Sequence, residues 1–419
     1  PEPAAPAPPT ATAQREACAV GIAGGTGQPN PLTPLGFDAL WSLSRGQGQR
    51  VAVIDTGVTP HHRLARLRGA GDYVGDGDGT QDCDGHGTTV AGLIAAAADS
   101  TDDVFGVAPD AEVLSVRQSS TRFGPVDDPT AVGYGDVDTM AQAVRVAADL
   151  GATVINISLV ACSSGALEDH ALGAALAYAV DTRDVVVVAA AGNVGGPIQC
   201  PPQPVEQAAQ WDTATVAVSP AWYDDYVLTV ASVSTDGTPS PFTLAGPWVD
   251  VAAPGEGLRS LSSSGTGVVD TLSGTSYAAP VVSGLAALIR SRFPDLSARQ
   301  VMTRIEATTR RPSDGWNPLV GNGVVDPAAA LSSEAPTTAP ETPVRRVEPS
   351  SPRANSGPHV VAIVGAGGCL LAAIAVAVSA RRRRGVTLDQ RGGPGEFGPL
   401  GQRGHHGPGR GDRMFWEAE

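Results

Sequence analysis

The chain contains no lysine: all 28 of the basic residues among its 419 are Arg. That removes lysine Schiff bases and Ser–Lys dyads from the chemistries open to it. Cations of any kind are outnumbered, 28 to 43, which gives a net charge of −15. A general nucleic-acid binder needs clustered cations to neutralise phosphate, so that class is excluded. Cysteine is scarce too, and five residues are too few for a disulfide scaffold of this length. Apolar residues are not lacking. They make up 42%, enough for a large core, and wholesale disorder is ruled out. The chain opens on Pro1 rather than Met, as expected of a product cleaved from a leader.

Gly and Pro mark the boundaries. Residues 1–36 hold eight Pro and the run Gly24-Gly25-Thr26-Gly27, which predicts an extended N-terminal arm with no helix or ladder. Residues 37–331 form the expected globular domain. Within it, short β-branched runs at 50–54, 112–116, 153–157, 184–190 and 227–233 read as strands. Ala-rich patterns at 139–150 and 168–180 read as helices between them. Apolar strands alternating with amphipathic helices predict an α/β fold, its central, mostly parallel sheet flanked by helices.

Residues 332–358 turn to Pro, Thr, Ser and Glu and predict an extended linker. Residues 359–380 contain the uncharged run 360–380, long enough to cross a bilayer as one helix. Four Arg follow at 381–384, which places the Gly-rich, disordered tail (381–419) in the cytoplasm and the large domain outside. Small residues at four-residue spacing, Ala362/Ala366 and Gly368/Ala372, would let a second helix approach closely. The net charge divides the same way, −18 over residues 1–358 and +3 over the rest.

Three motifs lie at predicted element boundaries. Val51-Ala52-Val53-Ile54-Asp55-Thr56-Gly57 is an apolar strand ending in an acid, where open α/β sheets place their active-site crevice. Asp84-Gly85-His86-Gly87-Thr88 leaves room around an imidazole at a helix start. His61, His62 and His170 lie in polar or variable contexts without such a setting. Ser273-Gly274-Thr275-Ser276-Tyr277-Ala278-Ala279-Pro280 puts a Ser among small residues at a helix N-terminus, in a positive backbone field. Each has an ordinary reading alone: a turn Asp, an exposed His, a Ser N-cap. Their joint occurrence in this order is what argues for chemistry.

Together with Ala190-Ala191-Gly192-Asn193, these motifs resemble the subtilisin-like serine proteases (subtilases), over about residues 50–331. The order Asp, His, Ser is also that of subtilases. The resemblance implies a subtilisin-like fold, a triad of Asp55, His86 and Ser276, and an oxyanion hole containing Asn193. It also implies acyl transfer on a protein or peptide substrate with no cofactor. There is one departure. Many subtilases follow Ile-Asn-x-Ser-Leu with Gly-Gly, whereas this chain continues Ser158-Leu159-Val160-Ala161-Cys162, which argues against the family's usual broad specificity.

A narrower resemblance, to the mycosins, rests on Arg117-Gln118-Ser119-Ser120, on Pro220-Ala221-Trp222-Tyr223-Asp224-Asp225-Tyr226 and on Gly246-Pro247-Trp248-Val249-Asp250-Val251. Arg299-Gln300-Val301-Met302-Thr303-Arg304 adds to it. Mycosins are membrane-anchored subtilases of actinobacterial type VII secretion systems. The likeness implies an arm that wraps the catalytic domain, a single plasma-membrane span, and a secretion membrane complex as partner. It also leaves a second role open, a structural subunit of that complex with proteolysis secondary.

With Cys369 in the span, Cys18, Cys83, Cys162 and Cys200 remain, and three pairings are possible from sequence. The mycosin pattern implies Cys18–Cys83 and Cys162–Cys200. The acids Asp72, Asp76, Asp78, Asp82 and Asp84 lack EF-hand spacing, and Gly75-Asp76-Gly77-Asp78-Gly79 reads as a solvated turn, so no metal is expected.

Overall fold

The computed structural model describes residues 6–19, 29–131, 133–196 and 199–333. The linker beyond residue 333, the span and the tail lie outside the described residues, and no described helix is long and apolar enough to cross a membrane. Seven strands make one all-parallel sheet: β1 Arg50–Asp55, β2 Leu67–Asp72, β3 Glu112–Arg117, β4 Val154–Ile157, β5 Val186–Ala190, β6 Leu228–Val233 and β7 Val251–Pro254. Their spatial order is β7-β6-β5-β4-β1-β3-β2. The order therefore reverses at β1, and open sheets form a crevice beyond the strand ends at such a point.

The strands form where the sequence predicts continuous apolar runs, because both faces of the sheet are covered. Every residue of β4, β5 and β6 is buried. Two strands escape prediction. β2 reads Leu-Arg-Gly-Ala-Gly-Asp and β7 is four residues long; both are edge strands, where the pattern is weakest.

Five helices matter here: α1 His86–Ala95, α2 Val137–Asp149, α3 His170–Ala177, α4 Thr275–Arg292 and α5 Ala298–Ala307. A capping box of Asp136 and Thr139 opens α2, and one of Ser297 and Gln300 opens α5. The pattern at 168–180 yields α3 and then a π-turn over Tyr178–Thr182. It starts later than predicted because Asp169 is turned to Ser219, Trp222 and Tyr223. Helix α4 is buried nearly end to end and runs against α1 and the sheet strands β4 to β7.

The arm corrects the sequence expectation. Thr12–Gln14 forms a short antiparallel ladder with Phe123–Pro125, and Thr33–Leu35 is a 3-10 turn. The Pro-free segment can donate to a ladder, and Pro34 suits the first turn of a short helix. Leu32 and Leu35 are buried beside Phe37, so the core begins before residue 37.

Candidate active site

Asp55 ends β1, and its Oδ1 accepts from Thr56 N–H at 2.8 Å. His86 is the first residue of α1, and its Nδ1 lies 2.8 Å from the same oxygen. Such close approach needs glycine. A Cβ on Gly87 would stand 2.1 Å from the Gly57 carbonyl oxygen and 3.1 Å from Asp55 Oδ1. Both side chains are buried, with Asp55 fully covered and His86 at 4%. Burial alone would lower the His86 pKa, but the charge and hydrogen bond of Asp55, with Asp82 and Asp84 beyond, outweigh it and hold His86 above 6.5.

Ser276 lies in the first turn of α4, and its Oγ is buried with no hydrogen-bond partner among the described residues. The ring of the next residue, Tyr277, lies 5.2 Å from the His86 ring. Asn193 follows β5, and its Oδ1 accepts from Thr275 N–H at 2.9 Å, so its amide nitrogen faces the other way. A Cβ built on Gly274 would lie 3.1 Å from Ser276 Oγ and 3.4 Å from Asn193 Nδ2. The hydroxyl and the amide thus border one small space that glycine keeps open.

The start of α4 is bound to the sheet by neutral groups. Ser158 Oγ donates to the Ser276 carbonyl at 2.7 Å and accepts from Asn156 Nδ2 at 2.9 Å. Ser283 Oγ donates to Asn156 Oδ1 at 2.8 Å. Asn156 and Ser158 share one side of their strand segment, while Ser276 and Ser283, seven residues apart, share one face of the helix. The Ser276 carbonyl is open to Ser158 because Pro280, four residues on, has no N–H to give it.

Disulfides join Cys18 to Cys83 and Cys162 to Cys200. The first fixes the arm beside the His86 loop, where Ala19 N–H also donates to the Cys83 carbonyl at 2.7 Å. The second is next to Asn193, whose carbonyl accepts from Cys200 N–H at 2.9 Å. The departure after Leu159 has a structural counterpart: residues 161–163 pair antiparallel with 217–219.

In the turn 75–79 Asp76 and Asp78 are exposed, as its solvated reading requires, whereas the flanking acids Asp72, Asp82 and Asp84 are buried. Asp84 accepts from Ser120 and Thr121, and Asp72 pairs with buried Arg117 at 3.4 Å. Among the described residues no group of His, Cys, Asp or Glu is arranged to hold a metal. His61 is buried; its Nδ1 accepts from Arg63 N–H, and burial lowers its pKa. The sequence reading missed Thr56, Asp82, Asn156, Ser158 and Ser283, although polar residues alternating through the apolar run 155–159 were a signal.

Residues 46–323 match the model of the Subtilase family, and the chain belongs to this family of serine proteases. Within it, the chain falls among the mycosins. It is 57% identical over 409 residues to Mycosin-4 of Mycobacterium tuberculosis, covering 91% of this chain and 89% of that one. A solved MycP3 protease from the type VII (ESX-3) secretion system superposes with a TM-score of 0.74 at 42% identity, over 80% of this chain and 97% of the other. A chain of an intact ESX-5 inner membrane complex gives 0.75 at 39% identity, covering 91% and 97%.

Proposed function

We propose that the chain is a membrane-anchored serine endopeptidase acting outside the plasma membrane as part of a type VII secretion system. The observation that carries the chemistry is the buried His86–Asp55 hydrogen bond, with the ring of Tyr277, the residue after Ser276, 5.2 Å from the imidazole. In this reading Ser276 Oγ attacks the scissile carbonyl while His86 accepts its proton and later delivers it to the leaving amine. Asp55 fixes the imidazole tautomer and stabilises the imidazolium. Asn193 Nδ2 and the Ser276 N–H donate to the developing oxyanion. Water then cleaves the acyl-enzyme with His86 as base. The anchor is residues 359–380, with 381–419 in the cytoplasm. Labelling by a fluorophosphonate probe tests the nucleophile: Ser276→Ala abolishes it, and undiminished labelling of that variant would remove Ser276 from the role.

A second reading has its own support. Relatives occur in the ESX-5 inner membrane complex and in its periplasmic assembly. On this reading the chain stabilises such a complex and proteolysis is secondary. Secretion complementation separates the two. Rescue by Ser276→Ala, but not by deletion of 359–380, makes scaffolding primary; rescue by neither makes proteolysis necessary.

A further inference from the structure

Asp82 belongs to the acidic stretch, yet its carboxylate is buried and accepts four hydrogen bonds. Oδ1 takes the Thr56 hydroxyl at 2.8 Å and Gly85 N–H at 2.7 Å. Oδ2 takes Thr88 N–H at 2.8 Å and the Thr88 hydroxyl at 2.6 Å. Thr56 Oγ1 in turn accepts from Gly87 N–H at 3.0 Å. The amides on either side of His86 are thus tied to one carboxylate, Gly85 directly and Gly87 through Thr56. Thr56 also follows Asp55, to which its own N–H donates.

This is also how α1 is capped. Its N-cap residue is Gly85, which has no side chain to offer, so Asp82 supplies the anion that the exposed amides favour. All four partners donate, so both carboxylate oxygens are needed as acceptors. An Asn here would turn an NH₂ towards two donors.

We propose that Asp82 is a positioning residue for the Asp55–His86 pair: it fixes the imidazole between two anchored amides. The inference rests on the serine-protease reading above, in which His86 carries a transient positive charge. The groups facing His86 are Asp55 from β1, Asp82 and Asp84 from its own loop, and the Tyr277 ring from α4. Around the Asp82 carboxylate itself stand hydroxyls and amides. Burial pushes Asp82 up to about 6, against the pull of those hydrogen bonds, so it is mostly ionised at neutral pH.

The test is Asp82→Asn in the full chain, with kcat normalised to the Ser276 labelled by fluorophosphonate. Loss of positioning lowers kcat about 10- to 100-fold with KM near wild type, the scale of a misplacement near 1 Å. Removing the anion also moves the acid limb of kcat/KM to lower pH, which a purely structural role would not do. If Asp82→Asn folds with wild-type kcat and an unmoved acid limb, the proposal is overturned. Should that variant fail to fold, Thr56→Val decides, because it leaves the Asp82 carboxylate with three of its donors and removes the hydroxyl that links it to Gly87. A several-fold loss in kcat with the acid limb in place supports the proposal, and unchanged kcat sinks it. Undiminished labelling of Ser276→Ala would instead show that the serine-protease reading itself had failed.

Discussion

The two sides of the candidate site are built from different materials. On the imidazole side, β1, the loop 82–85 and α1 are joined through buried carboxylates, Asp55 and Asp82, and the arm is attached there by Cys18–Cys83. On the nucleophile side, β4, β5 and α4 are joined by neutral hydroxyls and amides from Asn156, Ser158, Asn193 and Ser283. A proton can unmake the first kind of support and not the second. The imidazole side should therefore carry the pH response, while the nucleophile side holds its geometry throughout.

The largest effect tests whether the sides form one machine. Ser276→Ala should lower kcat on the order of 10⁶-fold, the scale known for removal of the serine in subtilisin; hydrolysis of a peptide substrate measures it. If Asp55→Asn and Ser276→Ala combined cost little more than Ser276→Ala alone, the two sides act as a unit. Asn193→Ala comes next, with a loss of about 10²–10³ in kcat and little change in KM.

The pH profile addresses the contrast directly. His86 must be neutral to accept a proton, and its pKa is held above 6.5. Activity should therefore fall as pH drops through a value above 6.5, read from kcat/KM. Near-UV circular dichroism of the nucleophile side should stay constant over that range. An acid limb below 6.5 would contradict the field of Asp55, Asp82 and Asp84. The smallest effect belongs to Ser158→Ala, which leaves Asn156 Nδ2 and the Ser276 carbonyl without this partner. A loss of about 1–3 kcal/mol in unfolding free energy is expected, measured by denaturant titration. A far smaller loss would mean that the neutral network adds little to holding α4.

What the sequence made legible was chemistry written locally. Asp55, His86, Ser276 and Asn193 each lie in a short motif, because a strand end, a helix start and a glycine turn constrain their immediate neighbours. The central strands were legible because burial on both faces demands unbroken apolar runs. The edge strands β2 and β7 were not, since one side of each carries no partner strand to enforce a pattern. Asp82 showed no role in the sequence because its hydrogen bond to Thr56 spans 26 residues. Ser158 was opaque for the same reason, its partner lying 118 residues downstream. The alternation through 155–159 marks its polar residues as unusual but does not name partners at that range.

Pro280 also decides what the start of α4 is registered against. An ordinary residue there would let α4 complete its own first turn, and the helix would be indexed only to its axis. With the amide missing, the Ser276 carbonyl is bound to Ser158 instead, so the helix takes its origin from the sheet. The nucleophile's turn is thereby hydrogen-bonded to the end of β4, and Ser283 binds the same strand two turns further along the helix.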